Sequence, residues 1–319
     1  MASLHGFSQK TRHIKFFSRC LTHLSHHYES LDLSRMTMLY FCVVGLDLLG
    51  GLEEVVDDGS PNGGFRARII EWIYNSQITS NDGAYSSRHC GFRGGPYFGR
   101  PFQSLCEEDK ALREGDCDVD LCDKRRSGSA PIHITHEFDH SHIAMTYSAL
   151  AALLTLGDSL ERVDRPGIVH AIAALQREDG SFTATSDGSE CDTRFLYCAC
   201  AISAILNDWS GVDCDRAEGY ARNCLCYDGG FGLVPGQESH GGSTFTATAS
   251  LRLMGRLSTF EHFRIRDLEQ WCLRRQVTSL DGIGGFQGRC NKDADTCYSF
   301  WIGGTLAMIG SATLIDTER

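Results

Sequence analysis

The chain alternates between two kinds of segment in which hydrophobic residues follow a helical spacing. In the first kind, apolar residues recur every three or four positions and polar residues cover the opposite face, as in a surface helix. In the second, nearly every position is apolar or small, which predicts a helix buried on all sides. The first kind spans residues 11–28, 65–78, 164–177, 213–226 and 264–276; the second spans residues 34–50, 141–157, 193–207, 241–255 and 296–310.

A similar turn precedes several of the apolar helices and indicates an internal repeat. The segments EDGSF, YDGGF and GIGGF are each followed, after a short interval, by Asp192, His240 or Asp295. These polar residues recur at intervals of about fifty positions, and His142 extends the series towards the N-terminus. Each repeat would therefore pair one outer amphipathic helix with one inner apolar helix.

We predict an all-α fold, an α/α barrel built from repeated helical hairpins, with five hairpins in a single domain over residues 1–319. The N-termini of the inner helices would share one rim, where Arg35, His142, Arg194, His240 and Asp295 would gather. Helix N-termini carry free N–H groups and partial positive charge, so this rim would suit a phosphate-like anion. Residues 57–64 and 105–130 interrupt the repeat, and the charged composition of residues 105–130 predicts a disordered insertion.

Composition argues against several classes of protein. A net charge of −11 argues against a nucleic-acid surface. No apolar run reaches the roughly 18 residues that a membrane span requires. The N-terminal segment lacks the apolar core of a signal peptide, and the 15 cysteines are odd in number and contain no CxxC pair. We therefore expect a reduced, cytoplasmic protein whose thiols mostly fill the core.

Residues 284–301, GGFQGRCNKDADTCYSFW, concentrate the most varied chemistry of the chain. Asp295 and Cys297 would point about 200° apart on a continuous helix, so they can share a metal ion only if Asp295 is the N-cap residue. A thiolate and a carboxylate suit zinc, and a catalytic zinc usually has three protein ligands. In the simpler alternative, Asp295 only caps the helix and Cys297 is a buried thiol.

Three segments resemble the β subunits of the protein prenyltransferase family, in particular those of geranylgeranyltransferase type I. They are HSHIAMTY at residues 140–147, ESHGGSTF at residues 238–245 and GRCNKDADTCYSFW at residues 288–301. The resemblance covers residues 10–310 apart from the insertions. It implies transfer of a C20 isoprenoid from geranylgeranyl diphosphate to the cysteine of a C-terminal CaaX sequence, where X is usually Leu.

The resemblance also implies roles for individual residues. Asp295 and Cys297 would bind Zn²⁺, which would hold the acceptor cysteine as a thiolate. His240, Arg289, Lys292 and Tyr298 would stabilise the leaving diphosphate. Further contacts with the lipid donor are implied for Gly241, Gly242, Cys290, Asn291, Ser299, Phe300, Trp301, Thr37 and Arg194.

The lipid would occupy an interior lined by Tyr40, Phe41, Tyr197, Phe245, Phe300 and Trp301. Farnesyltransferase β subunits carry a bulky Trp where Thr37 stands, so Thr37 would leave room for a fourth isoprene unit. His142, Ala144 and Phe195 would lie near the C-terminus of the acceptor peptide. Alternatively, the aromatic residues are ordinary core, His142 and Arg194 are rim residues, and the Thr37 hydroxyl bonds the preceding helical turn.

Family β subunits act beside an α subunit on CaaX proteins such as small GTPases, and their third zinc ligand is a histidine on a sixth inner helix. That hairpin is absent here, so we expect a chain truncated at its C-terminus that binds zinc poorly and transfers no lipid. One alternative is a non-catalytic form that only binds the α subunit or lipid. Another is a terpene cyclase or glycosidase, but these need acidic groups where this chain carries basic ones.

Overall fold

The computed structural model describes residues 9–57, 59, 64–80, 87–95, 140–260, 262–278 and 284–316. The predicted insertion at residues 105–130 and part of residues 57–64 lie outside the described residues. The described chain forms two compact units, Met1–Ser86 with Cys90–Asp164, and Ser87–His89 with Arg165–Arg319. The single-domain organisation stays a prediction.

The described residues of the first unit form five α-helices and one short antiparallel pair of strands. The helices are α1 Lys10–Thr22, α2 Arg35–Leu48, α3 Leu52–Val56, α4 Gly64–Asn75 and α5 Ile143–Thr155. Strands β1 Gln77–Ile78 and β2 Gly91–Phe92 pair with Gln77 opposite Phe92. Helix α2 packs against both α1 and α5. Met36, Val43 and Leu46 of α2 are fully buried, as are Leu150 and Leu153 of α5.

The second unit continues the alternation of outer and inner helices. Its helices are α6 Arg165–Leu175, α7 Thr193–Leu206, α8 Cys214–Asn223, α9 Gly241–Leu253, α10 His262–Leu273 and α11 Thr296–Met308. Strands β3 Gln276–Thr278 and β4 Gly284–Phe286 are antiparallel, with Gln276 opposite Phe286. Helix α9 packs against α7 on one side and α11 on the other. All residues of α9 from Ser243 to Leu251 are buried, and most of them are small, which allows this close packing.

The repeated turn has a defined structure in both units. A buried phenylalanine follows the outer helices α4, α6, α8 and α10, and each pairs with a residue near the end of its helix. The pairs are Gln77 with Phe92, Gln176 with Phe182, Leu225 with Phe231, and Gln276 with Phe286. In three of the four, the phenylalanine carbonyl also accepts the backbone N–H of the residue that precedes the next inner helix, at 3.1 Å: His142, His240 and Asp295.

Two details differ from the sequence prediction. The helix predicted over residues 11–28 ends at Thr22, because the His23 backbone is extended and its N–H closes the last turn on the Arg19 carbonyl. A 3₁₀ helix, His26–Ser34, then leads into α2. The inner helix predicted over residues 296–310 is not buried on all sides: Cys297 is exposed and Phe300 is 60% exposed, since α9 and α10 pack against one side of α11.

Three further 3₁₀ helices, Ser87–His89, Leu257–Thr259 and Ala312–Leu314, complete the described elements. None of the described helices combines the length and hydropathy that crossing a bilayer requires.

Candidate functional site

Four inner helices begin with the same type of N-cap. The side chain of the cap residue accepts a hydrogen bond from the backbone N–H two residues later. His142 Nδ1 accepts from Ala144 at 3.1 Å, and Asp192 Oδ1 accepts from Arg194 at 2.8 Å. His240 Nδ1 accepts from Gly242 at 3.1 Å, and Asp295 Oδ1 accepts from Cys297 at 3.0 Å. The predicted N-cap role of Asp295 is confirmed.

The cap bond of His240 assigns the proton on its imidazole. Because Nδ1 accepts from Gly242, a neutral ring carries its proton on Nε2, which lies 2.9 Å from the Tyr298 hydroxyl. The Nε2–H therefore donates to Tyr298, and the phenolic O–H stays available as a donor. Burial, followed by the nearby Arg289 charge, lowers the pKa of His240 and favours this neutral form.

Two glycines leave the space that the Tyr298 ring occupies. A Cβ on Gly241 would lie 2.9 Å from a Tyr298 ring carbon, and a Cβ on Gly288 would overlap the ring at Cζ. The two glycines are themselves joined, because Gly241 N–H donates to the Gly288 carbonyl at 2.7 Å. The turn before α11 and the start of α9 thus fix the phenol between them.

A cavity of about 590 Å³ opens beside His240. Five of its lining residues are predicted site residues: Arg194, His240, Gly242, Arg289 and Trp301. The other lining residues are Leu233, Gln237, Glu238, Ser243 and Thr246. Arg289 Nη1 lies 3.1 Å from Glu238 Oε2. His240 and Arg289, which are predicted to converge, line the same cavity. Lys292 is exposed on the same loop as Arg289 and is not among the lining residues.

Arg194 lies at the same cavity but is held by acidic neighbours. Its guanidinium forms two-pronged hydrogen bonds with Asp192, with Nη2 2.6 Å from Oδ2, and lies 3.1 Å from Glu190. It also covers the ring of Phe195 at 5.2 Å. Phe195 is buried, so its ring supports Arg194 instead of presenting a surface.

The loop between Phe286 and Asp295 is closed by its own backbone. Gln287 and Ala294 form an isolated β-bridge, and the Gln287 amide nitrogen, in the orientation that satisfies its hydrogen bonds, donates to the carbonyls of Arg289 and Lys292. Asn291 has a φ of 59°, a left-handed conformation that asparagine tolerates. The structure thus gives Asn291 a turn-forming role besides any contact with a ligand.

Asp295 and Cys297 fit zinc in type but supply two of the three usual protein ligands. Both are exposed at the first turn of α11. The N–H of Cys297 lowers the pKa of Asp295, whereas partial burial and the hydrogen bond with Asp295 raise the pKa of Cys297. Within the described ranges, no three His, Cys, Asp or Glu side chains form a metal-binding cluster.

Aromatic side chains cluster behind this site in the second unit. The Phe245 ring centroid lies 5.0 Å from Phe300, 5.0 Å from Trp301 and 5.9 Å from Tyr197. Gly304 makes room for this cluster, because a Cβ there would lie 2.8 Å from the Phe245 ring. The 60% exposure of Phe300 makes the cluster accessible.

The predicted residues of the first unit lie on α2 and at the start of α5. The Thr37 hydroxyl lies 3.3 Å from Met145 Sδ and 3.4 Å from Ser148 Oγ, so it faces α5. The Tyr40 and Tyr147 hydroxyls are 3.3 Å apart, and Phe41 is exposed. His142 and Ala144 are half-buried at the start of α5.

Sequence reasoning missed two functional residues of the second unit. Glu238 lies in the ESHGGSTF segment and Gly288 in the GRCNKDADTCYSFW segment, but the sequence predicts no role for either residue. Both lie next to residues that were selected, which is the signal that could have identified them. Glu238 is the ion-pair partner of Arg289, and Gly288 provides space for Tyr298.

Comparison with known proteins agrees with this fold and identifies the family. A family model described as the prenyltransferase alpha-alpha toroid domain matches residues 9–319. The geranylgeranyl transferase type-1 subunit beta of Arabidopsis thaliana is 38% identical over 97% of this chain and 74% of its own length. The protein of the same name from Dictyostelium discoideum is 36% identical over 95% of this chain and 77% of its own length.

Among solved structures, Candida albicans protein geranylgeranyltransferase-I complexed with GGPP matches with a TM-score of 0.71 and 25% identity, over 96% of this chain and 79% of that chain. These matches confirm the predicted α/α barrel and the resemblance to geranylgeranyltransferase type I β subunits. The chain therefore belongs to the prenyltransferase alpha-alpha toroid family and, within it, to the protein prenyltransferase β subunits.

Proposed function

We propose that this chain is the β subunit of a geranylgeranyltransferase type I. In place of the expectation that it transfers no lipid, we propose that it transfers a C20 isoprenoid from geranylgeranyl diphosphate to the cysteine thiol of C-terminal CaaX sequences, including those of small GTPases, with X usually Leu. The observation that carries the proposal is one cavity lined by His240 and Arg289, with Tyr298 hydrogen-bonded to His240 and an aromatic cluster on the adjoining helices. The relatives' names support the choice of donor.

The residues of the second unit act on the diphosphate. The Arg289 guanidinium binds its oxygens, and the Tyr298 O–H, aligned by His240, donates a hydrogen bond to them. As the bond between C1 of the isoprenoid and the diphosphate oxygen breaks, negative charge accumulates on the leaving group, and both contacts strengthen. Lys292, exposed on the same loop, adds positive charge.

Binding displaces Glu238 from Arg289, because a diphosphate carries more negative charge than one carboxylate. The isoprenoid chain then lies along the apolar surface that Phe245, Phe300 and Trp301 provide. Burial of this chain contributes most of the binding free energy, at roughly 25 cal/mol per Å² of apolar surface.

Asp295 and Cys297 are the residues that would hold zinc, which when bound would keep the acceptor thiol deprotonated. The rigid placement of these two donors comes from the N-cap bond between Asp295 and the Cys297 N–H. Further protein surface comes from an α subunit, with which the chain forms a heterodimer in the cytoplasm.

The deciding experiment measures transfer of labelled geranylgeranyl groups to a CaaX peptide ending in Leu, with this chain co-purified with its α subunit. Tyr298→Phe should lower kcat about tenfold, since one hydrogen bond to a charged leaving group is worth about 1.5–3 kcal/mol. Tyr227→Phe is the matched control, because Tyr227 is 98% exposed on a turn. Equal loss in both variants, or pyrophosphate that does not bind the wild-type chain, would contradict the proposal.

Donor length depends on Thr37, which faces Met145 and Ser148 of α5. Thr37→Trp fills this space and should shift preference from the 20-carbon towards the 15-carbon donor, as measured by competition between the two diphosphates. Thr37→Val keeps the volume and removes the hydroxyl, so it should leave the preference unchanged. An unaltered donor ratio in Thr37→Trp would refute the role of this position.

A further inference from the structure

We propose that Cys290 is a site of reversible oxidation by hydroperoxides, and that the buried guanidinium of Arg275 directs the reaction to it. The proposed transferase function does not use this chemistry. Cys290 lies between Arg289 and Asn291 on the loop before α11, and its side chain is exposed.

Arg275 is a buried cation that forms no ion pair within the described residues. It is only 6% exposed, its guanidinium lies 5.1 Å from the Trp271 ring, and its Nε has no hydrogen-bond partner. Across the described segments, no carboxylate lies within ion-pair distance of it. A buried cation without a counter-charge is costly. Its Nη1 lies 2.9 Å from the Cys290 sulfur, which places the positive charge of the guanidinium directly beside that atom.

Among the cysteines that the structure describes, none of the others combines exposure with a buried cation. Burial raises the pKa of Cys42, Cys198, Cys224 and Cys272 to about 12, which keeps them protonated and inert. The exposed Cys297 lies beside the carboxylate of Asp295 instead of a cation. Cys191 lies 3.1 Å from Arg177, but that arginine is exposed and its charge is screened by water.

The reaction balances with a hydroperoxide as oxidant. The Cys290 thiolate attacks the distal peroxide oxygen, an S–O bond forms and the O–O bond breaks. Two electrons pass from sulfur to the peroxide, whose remaining oxygen takes a proton and leaves as an alcohol or water. The product is a sulfenic acid, which a small thiol converts to a mixed disulfide with release of water, and a second thiol returns to the free cysteine.

Oxidation would also act on the neighbouring loop. Arg275 Nη1 and the Cys290 sulfur are already in contact, so an added oxygen must push the loop away from the guanidinium. Arg289 is adjacent in sequence and lines the cavity. This consequence rests on the proposed function: oxidation should weaken binding of a diphosphate to that cavity.

The test treats the full chain with substoichiometric hydrogen peroxide, traps sulfenic acid with dimedone, and measures labelling of each cysteine peptide by mass spectrometry. We expect Cys290 to label about tenfold faster than Cys226, a half-buried thiol that donates to the Gln237 carbonyl, and faster than Cys191. Equal rates for Cys290 and Cys226 would overturn the proposal. Cys290→Ser identifies the labelled peptide.

Two variants test the role of the guanidinium. Arg275→Leu should reduce Cys290 labelling to the Cys226 rate, and Arg275→Lys should keep most of it because the charge stays. If Arg275→Leu does not fold, Arg275→Gln replaces it, because it also removes the charge. Cys290 labelling that is unchanged in the folded variant without the charge contradicts the assignment. Pyrophosphate binding before oxidation is measured separately. Its absence would overturn the proposed function alone, and lost labelling preference would overturn this inference alone.

Discussion

At the scale of single residues, Gly288 shows that the absence of a side chain can position a functional group. The Tyr298 ring fills the place where a Cβ of residue 288 would stand, and the Gly288 carbonyl accepts from Gly241 N–H. The phenol cannot move aside without losing its bond to His240. The geometry of the anion site therefore depends on a residue that has no chemistry of its own.

Gly288→Ala should displace the Tyr298 ring and destabilise the fold by about 1–3 kcal/mol, the usual cost of overpacking. Pyrophosphate affinity, measured by calorimetry, should fall together with stability because the His240–Tyr298 contact is broken. The matched control is Gly219→Ala on α8, where a Cβ meets nothing within 4 Å. That variant should be stabilised by about 0.5–1 kcal/mol. Unchanged pyrophosphate affinity in Gly288→Ala would contradict the argument.

At the scale of elements, the N-caps link helix stability to the site. His240 caps α9 through Nδ1 only while its imidazole is neutral, and burial with the nearby Arg289 lowers its pKa. A group with a lowered folded-state pKa binds its proton more readily in the unfolded chain. Its contribution to stability is therefore present above the unfolded-state pKa of about 6.5 and is lost as the pH falls through the folded-state value.

His240→Asn tests this dependence, because asparagine is a good N-cap that does not titrate. The free energy of unfolding of the wild type, relative to that of the variant, should fall by up to about 1 kcal/mol between pH 7.5 and pH 5. Urea denaturation at both pH values measures it. His170→Asn, at an exposed position on α6, controls for loss of an imidazole elsewhere. A difference that does not vary with pH would rule out the titrating cap.

The inner helices and their caps could be predicted because local chemistry determines them. The spacing of Asp295 to Cys297 indicates an N-cap, and in the structure the Cys297 N–H donates to Asp295 Oδ1 at 3.0 Å. The Glu238–Arg289 pair could not be predicted, since it joins two turns that only packing of α9 against α11 brings together. The end of α1 could not be predicted, because the hydrophobic pattern continues past Thr22 although the backbone becomes extended at His23.

At the scale of the whole molecule, the repeats tolerate inserted sequence between the buried phenylalanine and the cap. Residues 232–239 separate Phe231 from His240, whereas residues 93–141 separate Phe92 from His142. The same backbone bond of 3.1 Å closes both segments. The length of the connection therefore does not set the position at which the inner helix begins.

Replacing residues 105–130 with a short Gly/Ser linker should change the free energy of unfolding by less than about 1 kcal/mol, because loop-closure entropy varies slowly with length. Circular dichroism and urea denaturation measure helix content and stability. The comparison variant is Phe92→Ala, which empties a fully buried position and should cost about 3–5 kcal/mol. A collapse of stability in the linker variant would show that the inserted residues belong to the core.

The bond between Phe92 and His142 also affects the order in which the repeats form during folding. In the two later repeats the phenylalanine and the cap residue are only nine positions apart in the sequence. Their bond can therefore form as soon as both residues have been synthesised. The first repeat must bring together residues far apart in sequence, and closing a longer loop removes more entropy. The His142 amide is therefore the last of the three to become protected during folding, and hydrogen exchange would detect its opening first.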